Sequence, residues 1–280
     1  MNVKDFNYGF RLNGFIYDRA FNQSPSDITT HIHDGYELYY FISGDLTYYI
    51  EGRTYQLKPH DIVITNRREL HRIVFHSKEP YERRFIHFKP EFASPFLQGE
   101  TFNPFYYLER RKLGFYNRID AGEVLASGID RLWDRIEELS KEGTPDNHFM
   151  IKLLFLQMLI EIHKIYSRNK DVVADTAVTN EKIDAILDYI NTHTGERITL
   201  DLLENKFYVN KFYLSHIFKK STGFTVNEYI TYKRIIKAQE LLNRKIPVLE
   251  VSDAAGFGDY SNFYKTFKKI VGCSPKKYAK

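Results

Sequence analysis

The sequence predicts an α+β fold in which a β-barrel or jelly roll with two helices precedes an all-α domain. Three observations support this: short aromatic and β-branched runs between turns in residues 8–90, helical periodicity in residues 122–168, and an internal repeat near the end. The length of 280 residues suits two domains. We expect a first domain at 1–168, a linker at 169–180 and a second domain at 181–280.

The predicted barrel rests on evenly spaced strands and turns. The segment FISGDLTYYIEGRTYQLKPHDIVIT alternates Tyr, Phe, Ile and Val runs with turn residues. Turns are predicted at three places, Ser43-Gly44, Glu51-Gly52 and Pro59-His60-Asp61. Several short strands at such spacing are typical of a barrel or a jelly roll.

Two helices are predicted after the strands, at residues 122–139 and 146–168. The apolar face of the second helix is unusually wide, since it includes Phe149, Leu153, Leu156, Ile160 and Ile165. Such a helix needs cover on two sides, and we expect the barrel on one side and a second copy of the chain on the other. Residues 169–180 carry no periodicity, which indicates a linker.

Composition excludes several classes of protein. The N-terminus lacks an apolar segment behind a basic start, so no signal peptide is expected. The longest apolar run, residues 149–160, is interrupted by Lys152 and Gln157 and is too short to span a membrane. A single cysteine, Cys273, excludes an intramolecular disulfide and a cysteine-based zinc site. We therefore expect a cytoplasmic protein without a membrane partner.

Charge is distributed unevenly along the chain. Residues 181–280 have 17 Lys and Arg against 11 Asp and Glu, whereas residues 1–180 have 23 against 25. A basic C-terminal third favours a polyanionic partner, although a solvated lysine-rich surface would give the same balance.

The strongest pattern is a repeat with an offset of 49 residues. NKFYLSHIFKKSTGFTVNEYI at 210–230 aligns with DYSNFYKTFKKIVGCSPKKYA at 259–279. Phe218, Lys219 and Gly223 meet Phe267, Lys268 and Gly272. Each copy predicts a short helix, a turn and a second helix. The two helices lie at about 199–206 and 210–220 in the first unit. They lie at about 248–255 and 259–270 in the second unit. A connecting helix at 226–242 would span ~25 Å.

The second helix of each unit has an apolar face and a polar, basic or aromatic face. Leu214, Ile217 and Phe218 form the first apolar face, and Phe263 and Phe267 belong to the second. A short helix that presents hydrogen-bonding and basic groups outward has the form of a recognition helix in the DNA major groove. The competing interpretation is a helical bundle that binds no nucleic acid.

The segment 198–278 resembles the DNA-binding domain of AraC/XylS-type transcription regulators. The resemblance is carried by LSHIFKKSTGFTVNEYITYKRIIKAQELL and AGFGDYSNFYKTFKKIVGCSPKKY. It implies base contacts by Phe212, Ser215, His216, Tyr260, Asn262 and Lys265. It also makes Lys211, Lys219 and Lys268 candidates for phosphate contacts, which position a protein without specifying sequence.

Three residues, two of them in the first unit, depart from this family pattern. Glu204 and Ser252 occupy positions where the family favours Ala, and Tyr208 stands where Gly is usual. A buried, unpaired Glu204 would be costly, so we expect it to face solvent or to pair with a lysine. The base contacts of the first unit are therefore less secure than those of the second.

The front domain resembles the cupins through the segment HIHDGYELYYFISG. In that pattern three histidines and one glutamate inside a barrel hold a divalent metal, and the matching residues are His31, His33, Glu37 and His71. The second cupin motif is imperfect, because Pro59-His60-Asp61 replaces P-x-G. No metal and no other cofactor is predicted, but a metal-dependent cupin enzyme with a helical tail remains the alternative.

The front domain also resembles the sensor half of AraC-type regulators, which implies a small effector in place of a metal. The pocket is expected to use some of Tyr17, Arg19, His31, His33, Glu37, His71 and Arg84. Family habit suggests a sugar, for which carboxylate, guanidinium and imidazole groups with aromatic rings are suitable partners. A barrel without any ligand stays open, and His87 is expected to be an ordinary strand residue.

The resulting function is a DNA-binding, effector-responsive transcription regulator that is not an enzyme. We expect an activator and a homodimer, with double-stranded DNA, the effector and RNA polymerase as partners. A DNA-binding protein whose front domain only dimerises is a further hypothesis.

Overall fold

The computed structural model of the chain describes residues 5–25, 35–168 and 180–279. Residues 169–179, which make up most of the predicted linker, lie outside the described residues, so the domain boundaries stay a prediction. Asn180 caps the first helix of the second domain.

Within the described residues of the first domain, nine strands form two sheets, in agreement with the predicted β-rich fold. The larger sheet has the order β1-β2-β8-β3-β6-β9, and the smaller has the order β5-β4-β7. The strands are β1 (Phe6–Leu12), β2 (Phe15–Asn22), β3 (Tyr36–Ser43), β4 (Leu46–Ile50), β5 (Arg53–Gln56), β6 (Ile62–Thr65), β7 (His71–Phe75), β8 (Tyr81–Phe88) and β9 (Arg118–Ile119).

The β4–β5 turn is a tight hairpin. Glu51 and Gly52 both have positive φ, at 48° and 79°. This pair of angles is typical of the two-residue turn whose twist matches a β-hairpin. Gly52 adopts the left-handed conformation without strain because it has no Cβ atom. Glu51 adopts the same conformation at a steric cost, because its Cβ atom approaches the backbone.

The helices of the first domain differ from prediction in two respects, since short unpredicted helices lie within residues 90–110 and the first predicted helix is divided. The helix expected at 122–139 is two helices, because Gly128 adopts a left-handed conformation with φ of 73° and ends the first one. The helices are α1 (Pro90–Ala93), α2 (Tyr106–Arg110), α3 (Ala121–Ser127), α4 (Ile129–Ser140) and α5 (Pro145–Arg168).

The large sheet separates two apolar layers. Its outer face packs against α4 and α5, with Trp133 and Phe155 buried beside Phe15 and Phe88. Its inner face contacts the small sheet through a second cluster of buried side chains, which comprises Tyr39, Phe41, Leu46, Tyr48, Ile50, Tyr55, Val63, Ile73 and Tyr81. Alternate residues along each strand therefore belong to different layers.

The second domain is helical throughout its described residues. Its helices are α6 (Glu181–Thr192), α7 (Leu200–Phe207), α8 (Lys211–Thr222), α9 (Val226–Asn243), α10 (Val248–Ala254), α11 (Tyr260–Val271) and α12 (Pro275–Tyr278). The predicted helix limits agree within about two residues, since capping residues mark them in the sequence. None of the described helices is long and apolar enough to cross a membrane.

The repeat is confirmed at the level of helix ends. Asn210 and Asp259, which are 49 residues apart, cap α8 and α11 with their side chains. Gly223 and Gly272 end the same helices in left-handed conformations, with φ of 78° and 82°. The two units are thus one duplicated backbone pattern.

The structure accommodates Glu204 and Tyr208, the two departures from the family pattern in the first unit, through local contacts and backbone conformation. Glu204 is half-buried, and its Oε1 accepts a hydrogen bond of 3.0 Å from the backbone N–H of Lys211, at the start of α8. Tyr208 ends α7 with φ of 52°, and its side chain is 92% exposed. The turn thus needs the left-handed conformation that Gly would adopt without strain.

A buried ion pair joins the two domains. The Nζ of Lys233 on α9 donates to Oε1 of Glu51 at 2.6 Å, and these two side chains are 5% and 2% exposed. The hydroxyl of Tyr229 donates to the other carboxylate oxygen, and the backbone N–H of Leu70 donates to Oε1 at 2.6 Å. Burial, followed by the Glu51 charge, raises the pKa of Tyr229 well above its usual range, so the phenol stays a donor.

Further contacts follow the same interface. Leu70 of the first domain packs into the apolar core of the second domain. The guanidinium of Arg53 contacts Asp184 of α6 at 2.9 Å, and that of Arg72 donates to the carbonyl of Gly223 at 2.6 Å. The small sheet and its β4–β5 turn therefore contact α6, the end of α8 and α9.

Replacing Glu51 with Ala should lower the free energy of unfolding by about 3–5 kcal/mol, because the ammonium of Lys233 stays buried without its counter-charge. Urea unfolding of the full chain at pH 7 measures this. Lys112→Ala, which removes an exposed pair with Asp188, is the control and should cost less than about 1 kcal/mol. Equal losses in both variants would contradict a special role for the buried pair.

Replacing Tyr208 with Gly should raise the free energy of unfolding by about 0.5–1 kcal/mol. The gain from relieving the left-handed strain exceeds the entropy that Gly adds to the unfolded chain. Tyr208→Ala keeps the strained backbone and should give no gain in the same urea titration. A loss of stability with Gly would mean that the tyrosine ring makes a stabilising contact.

Candidate nucleic-acid interface and ligand-binding barrel

Helix α8 presents one exposed stripe away from its core. Leu214 and Phe218 are buried, whereas Phe212, His216 and Lys219 are exposed. His216 and Lys219 follow Phe212 by four and seven residues, so the three side chains share one side of the helix. The ring of Phe212 is 76% exposed, which is unusual for a large apolar side chain and favours a surface that meets another molecule.

Two of the predicted contacts on α8 are already engaged within the protein. The hydroxyl of Ser215 donates to the carbonyl of Lys211 at 2.8 Å. The ammonium of Lys211 pairs with Asp201 at 2.8 Å, and the hydrogen bond and charge of Asp201 raise the pKa of Lys211. The first unit therefore offers fewer free polar groups than its sequence suggested.

Helix α11 has the broader exposed face. Phe263 and Phe267 are buried, while Tyr260, Asn262, Lys265 and Lys268 are exposed. The amide oxygen of Asn262 accepts a hydrogen bond of 3.3 Å from the hydroxyl of Thr266. The Asn262 side chain as a whole is exposed. All four residues predicted to contact DNA on this helix thus reach solvent.

Ser261 belongs to the same face, although it was not among the predicted contacts. Ser261, Lys265 and Lys268 are exposed and repeat the spacing of Phe212, His216 and Lys219 with the offset of 49 residues. That offset was the signal that could have identified it. Tyr260 and Asn262 lie at the two edges of this face, one position on either side of Ser261.

The connecting helix α9 holds both units. Ile236 packs with the first unit, and Ile235 and Leu242 pack with Phe263 and Phe267 of the second. Thr225 and Glu228 form a capping box that secures its start. With 18 residues, α9 is long enough, at ~27 Å, to place two recognition helices about one DNA turn apart.

A polar cluster lies between the two sheets. Glu37 of β3 accepts hydrogen bonds from the Tyr48 hydroxyl of the small sheet at 2.9 Å and from Nε2 of His87 on β8 at 2.5 Å. His71 of the small sheet is close by, with its Nε2 3.9 Å from Glu37. Burial, followed by the Glu37 charge, raises the pKa of Tyr48 well above its usual range, which keeps its hydroxyl a donor.

The remaining described residues of the predicted effector pocket lie on the opposite face of the large sheet. Tyr17 and Arg19 donate to Glu137 of α4 at 2.6 and 2.9 Å, and Nε of Arg84 is 3.2 Å from it. Burial raises the pKa of Glu137, but the Tyr17 hydrogen bond and the two guanidinium charges outweigh it and leave that pKa lowered. These side chains fasten α4 to the sheet.

The prediction of one pocket from these residues needs correction. Glu37 and His71 lie between the two sheets, whereas Tyr17, Arg19 and Arg84 face α4, because successive side chains of a strand point to opposite faces. His31 and His33 lie outside the described residues. His87, expected to be an ordinary strand residue, contacts Glu37, and the register that pairs the two across β3 and β8 is a tertiary feature.

In the described part of the chain, no three His, Cys, Asp or Glu side chains lie close enough together to hold a metal ion. Two of the four residues matched to the cupin pattern, His31 and His33, fall outside that part.

Comparison with known proteins identifies both domains. Residues 20–157 match the AraC-like ligand binding domain, and residues 203–280 match a helix-turn-helix domain. The chain is 33% identical over 103 residues to the Msm operon regulatory protein of Streptococcus mutans, a match that covers 36% of this chain and 37% of that protein. It thus spans little more than a third of that relative's length.

Two further relatives match over most of their length. The lactose operon transcription activator of Staphylococcus xylosus is 23% identical over 253 residues, which cover 86% of this chain and 82% of that protein. The crystal structure of ToxT from Vibrio cholerae is 14% identical, with a TM-score of 0.39, over 96% of this chain and 98% of that one.

The order of the two matched domains agrees with the barrel and the helical domain described above. This chain belongs to the AraC family of transcription regulators, with a ligand-binding domain followed by a helix-turn-helix DNA-binding domain.

Proposed function

We propose that this chain binds double-stranded DNA sequence-specifically through α8 and α11 and regulates transcription in response to a small effector. The observation that carries the proposal is the pair of capped helices whose exposed stripes repeat with an offset of 49 residues. A duplicated recognition helix on one rigid connector suits two successive major grooves on one face of a duplex.

The contacts divide into reading and positioning roles. On α11, Tyr260, Asn262 and Lys265 reach base edges, and Lys265 suits guanine because an ammonium donates to its O6 and N7. On α8, Phe212, Ser215 and His216 take this role, with the Phe212 ring suited to a thymine methyl group. Phosphate contacts come from the lysines, namely Lys211, Lys219 and Lys268.

The effector site that we propose is the cluster between the two sheets. Glu37, Tyr48, His71 and His87 combine a carboxylate, a hydroxyl and two imidazoles, which can exchange hydrogen bonds with the hydroxyl groups of a sugar. The name of the Staphylococcus xylosus relative, a lactose operon transcription activator, supports a sugar and an activating role for this chain. An activator would have RNA polymerase as a further partner.

The enzyme alternative has no support among the relatives, whose names describe regulators. A homodimer is supported by α5. Phe149, Leu153 and Ile160 lie four and seven residues apart on α5 and are 53, 40 and 39% exposed. A stripe with this spacing can pack against its copy on a second chain, as in a coiled coil.

Replacing Lys265 with Ala should weaken binding to the operator and leave binding to unrelated DNA nearly unchanged, since it removes a base contact worth about 1–3 kcal/mol. Replacing Lys219 with Ala should weaken binding to every sequence and reduce the salt slope by about one. Gel-shift titrations at several salt concentrations, on the DNA upstream of the protein's own gene, measure both effects.

Lys78→Ala is the control, because it removes the same charge from an exposed loop of the first domain. It should leave both affinities unchanged. Salt-insensitive, unaltered binding by a Lys219→Ala, Lys265→Ala double variant would refute the assignment of α8 and α11 as the reading helices.

Replacing Leu153 with Asp should convert the proposed dimer into monomers, because a charge in an apolar helix contact is buried without a partner. Analytical ultracentrifugation at micromolar concentration measures the change. Leu249→Asp, on an exposed leucine of α10, should leave the dimer intact. A wild-type chain that sediments as a monomer would exclude the dimer through α5.

A further inference from the structure

A cavity of about 260 Å³ lies beside the end of α5, away from the cluster between the sheets. Its sides come from α2, the segment before β9, β9 itself, the start of α3 and the last turn of α5. An apolar cavity of ~150 Å³ holds benzene, so this one has room for a ring with a short substituent.

Most of the lining is apolar or aromatic. Ile119 and Ile165 form one part, and the rings of Tyr107, Tyr116 and Tyr166 form the rest. The hydroxyl of Tyr166 is held by the carbonyl of Tyr116 at 2.6 Å, and the Tyr107 and Tyr166 rings stack with centroids 6.1 Å apart. The aromatic wall is therefore already in place without a ligand.

The two acidic side chains of the cavity are engaged elsewhere. Asp120 caps α3 by accepting hydrogen bonds from the N–H groups of Gly122 and Glu123, at 2.9 and 3.2 Å. Glu123 in turn pairs with Arg168 at 3.3 Å. One oxygen of Asp120 is thus committed to the helix cap, and the charge of Glu123 is shared with Arg168.

The arginines of the cavity are less fully satisfied. Arg110 has no carboxylate partner among the residues that the structure describes, and its closest polar contact is the Tyr106 hydroxyl at 3.5 Å. Arg118 donates to the carbonyl of Gln56 at 3.2 Å and lies 3.8 Å from Asp61, a carboxylate that already accepts hydrogen bonds from the backbone of Lys58 and Ala121. Both guanidinium groups can accept an additional anion.

Arg111 lines the cavity but is already paired. Its two terminal nitrogens contact Glu69 at 2.6 and 2.7 Å and donate to the carbonyls of Phe115 and Ile64 at 2.8 and 3.0 Å. Its Nε is buried and does not open onto the cavity. Arg111 therefore anchors this part of the wall, and its charge is balanced by Glu69.

From these contacts we propose that the cavity binds a small monocarboxylic acid with an aromatic or aliphatic body. The body packs against Ile119, Ile165 and the tyrosine rings, and the carboxylate is held by Arg110 and Arg118. Such a ligand contacts α3 and the last turn of α5 together, so it stabilises the end of the first domain. This site is separate from the proposed effector site and does not depend on it.

Phenylacetate is a suitable probe, because it combines one ring with one carboxylate, and its neutral isostere phenylacetamide is the matched compound. Isothermal titration calorimetry of the full chain should detect binding of phenylacetate, with phenylacetamide at least tenfold weaker. Arg110→Ala should weaken phenylacetate about tenfold to a hundredfold, since it removes a charge-assisted contact.

Arg135→Ala removes an equally charged but exposed arginine of α4 and should leave the affinity unchanged. Glu37→Gln alters the cluster between the sheets and should also leave it unchanged, which separates the two sites. The proposal is overturned if phenylacetate does not bind, if phenylacetamide binds equally well, if Arg110→Ala has no effect, or if only Glu37→Gln changes the affinity.

Discussion

The ion pair between Glu51 and Lys233 is a buried charged contact between the two halves of this protein. It joins the β4–β5 turn of the barrel to the helix that carries both helix-turn-helix units. A buried pair adds little net stability, because desolvation offsets the attraction, but its geometry admits few alternative positions. We therefore interpret it as the contact that sets the orientation of the DNA-reading helices relative to the ligand-binding barrel.

The two reading units depend on the barrel to different degrees. Leu70 packs in the core of the first unit, and Arg72 holds the carbonyl of Gly223 at the end of α8. The small sheet thus contacts the first unit directly and contacts α9 through Lys233. The second unit meets the barrel side through α9, because its core is built on Ile235 and Leu242 of that helix.

The residues predicted to bind an effector show what the order of residues along the chain does not reveal. Residue type favoured Tyr17, Arg19 and Arg84, which are common in binding sites, but strand alternation turns them toward Glu137 and α4. The alternation of side chains between the two faces of a strand was visible in the sequence. The sequence did not show which of those faces meets the other sheet. His87 and Tyr48 join Glu37 only because strands distant in sequence become neighbours in register.

The sequence by itself determined the helical domain, its caps, the repeated stripes and the family, because each depends on residues a few positions apart. Asn210, Asp259, Gly223 and Gly272 act on their own helix ends. The tertiary structure alone decided which polar residues share a cavity and how the domains dock. Those contacts, such as Glu51 with Lys233 and Arg111 with Glu69, join residues far apart in the chain, and no local pattern encodes their pairing.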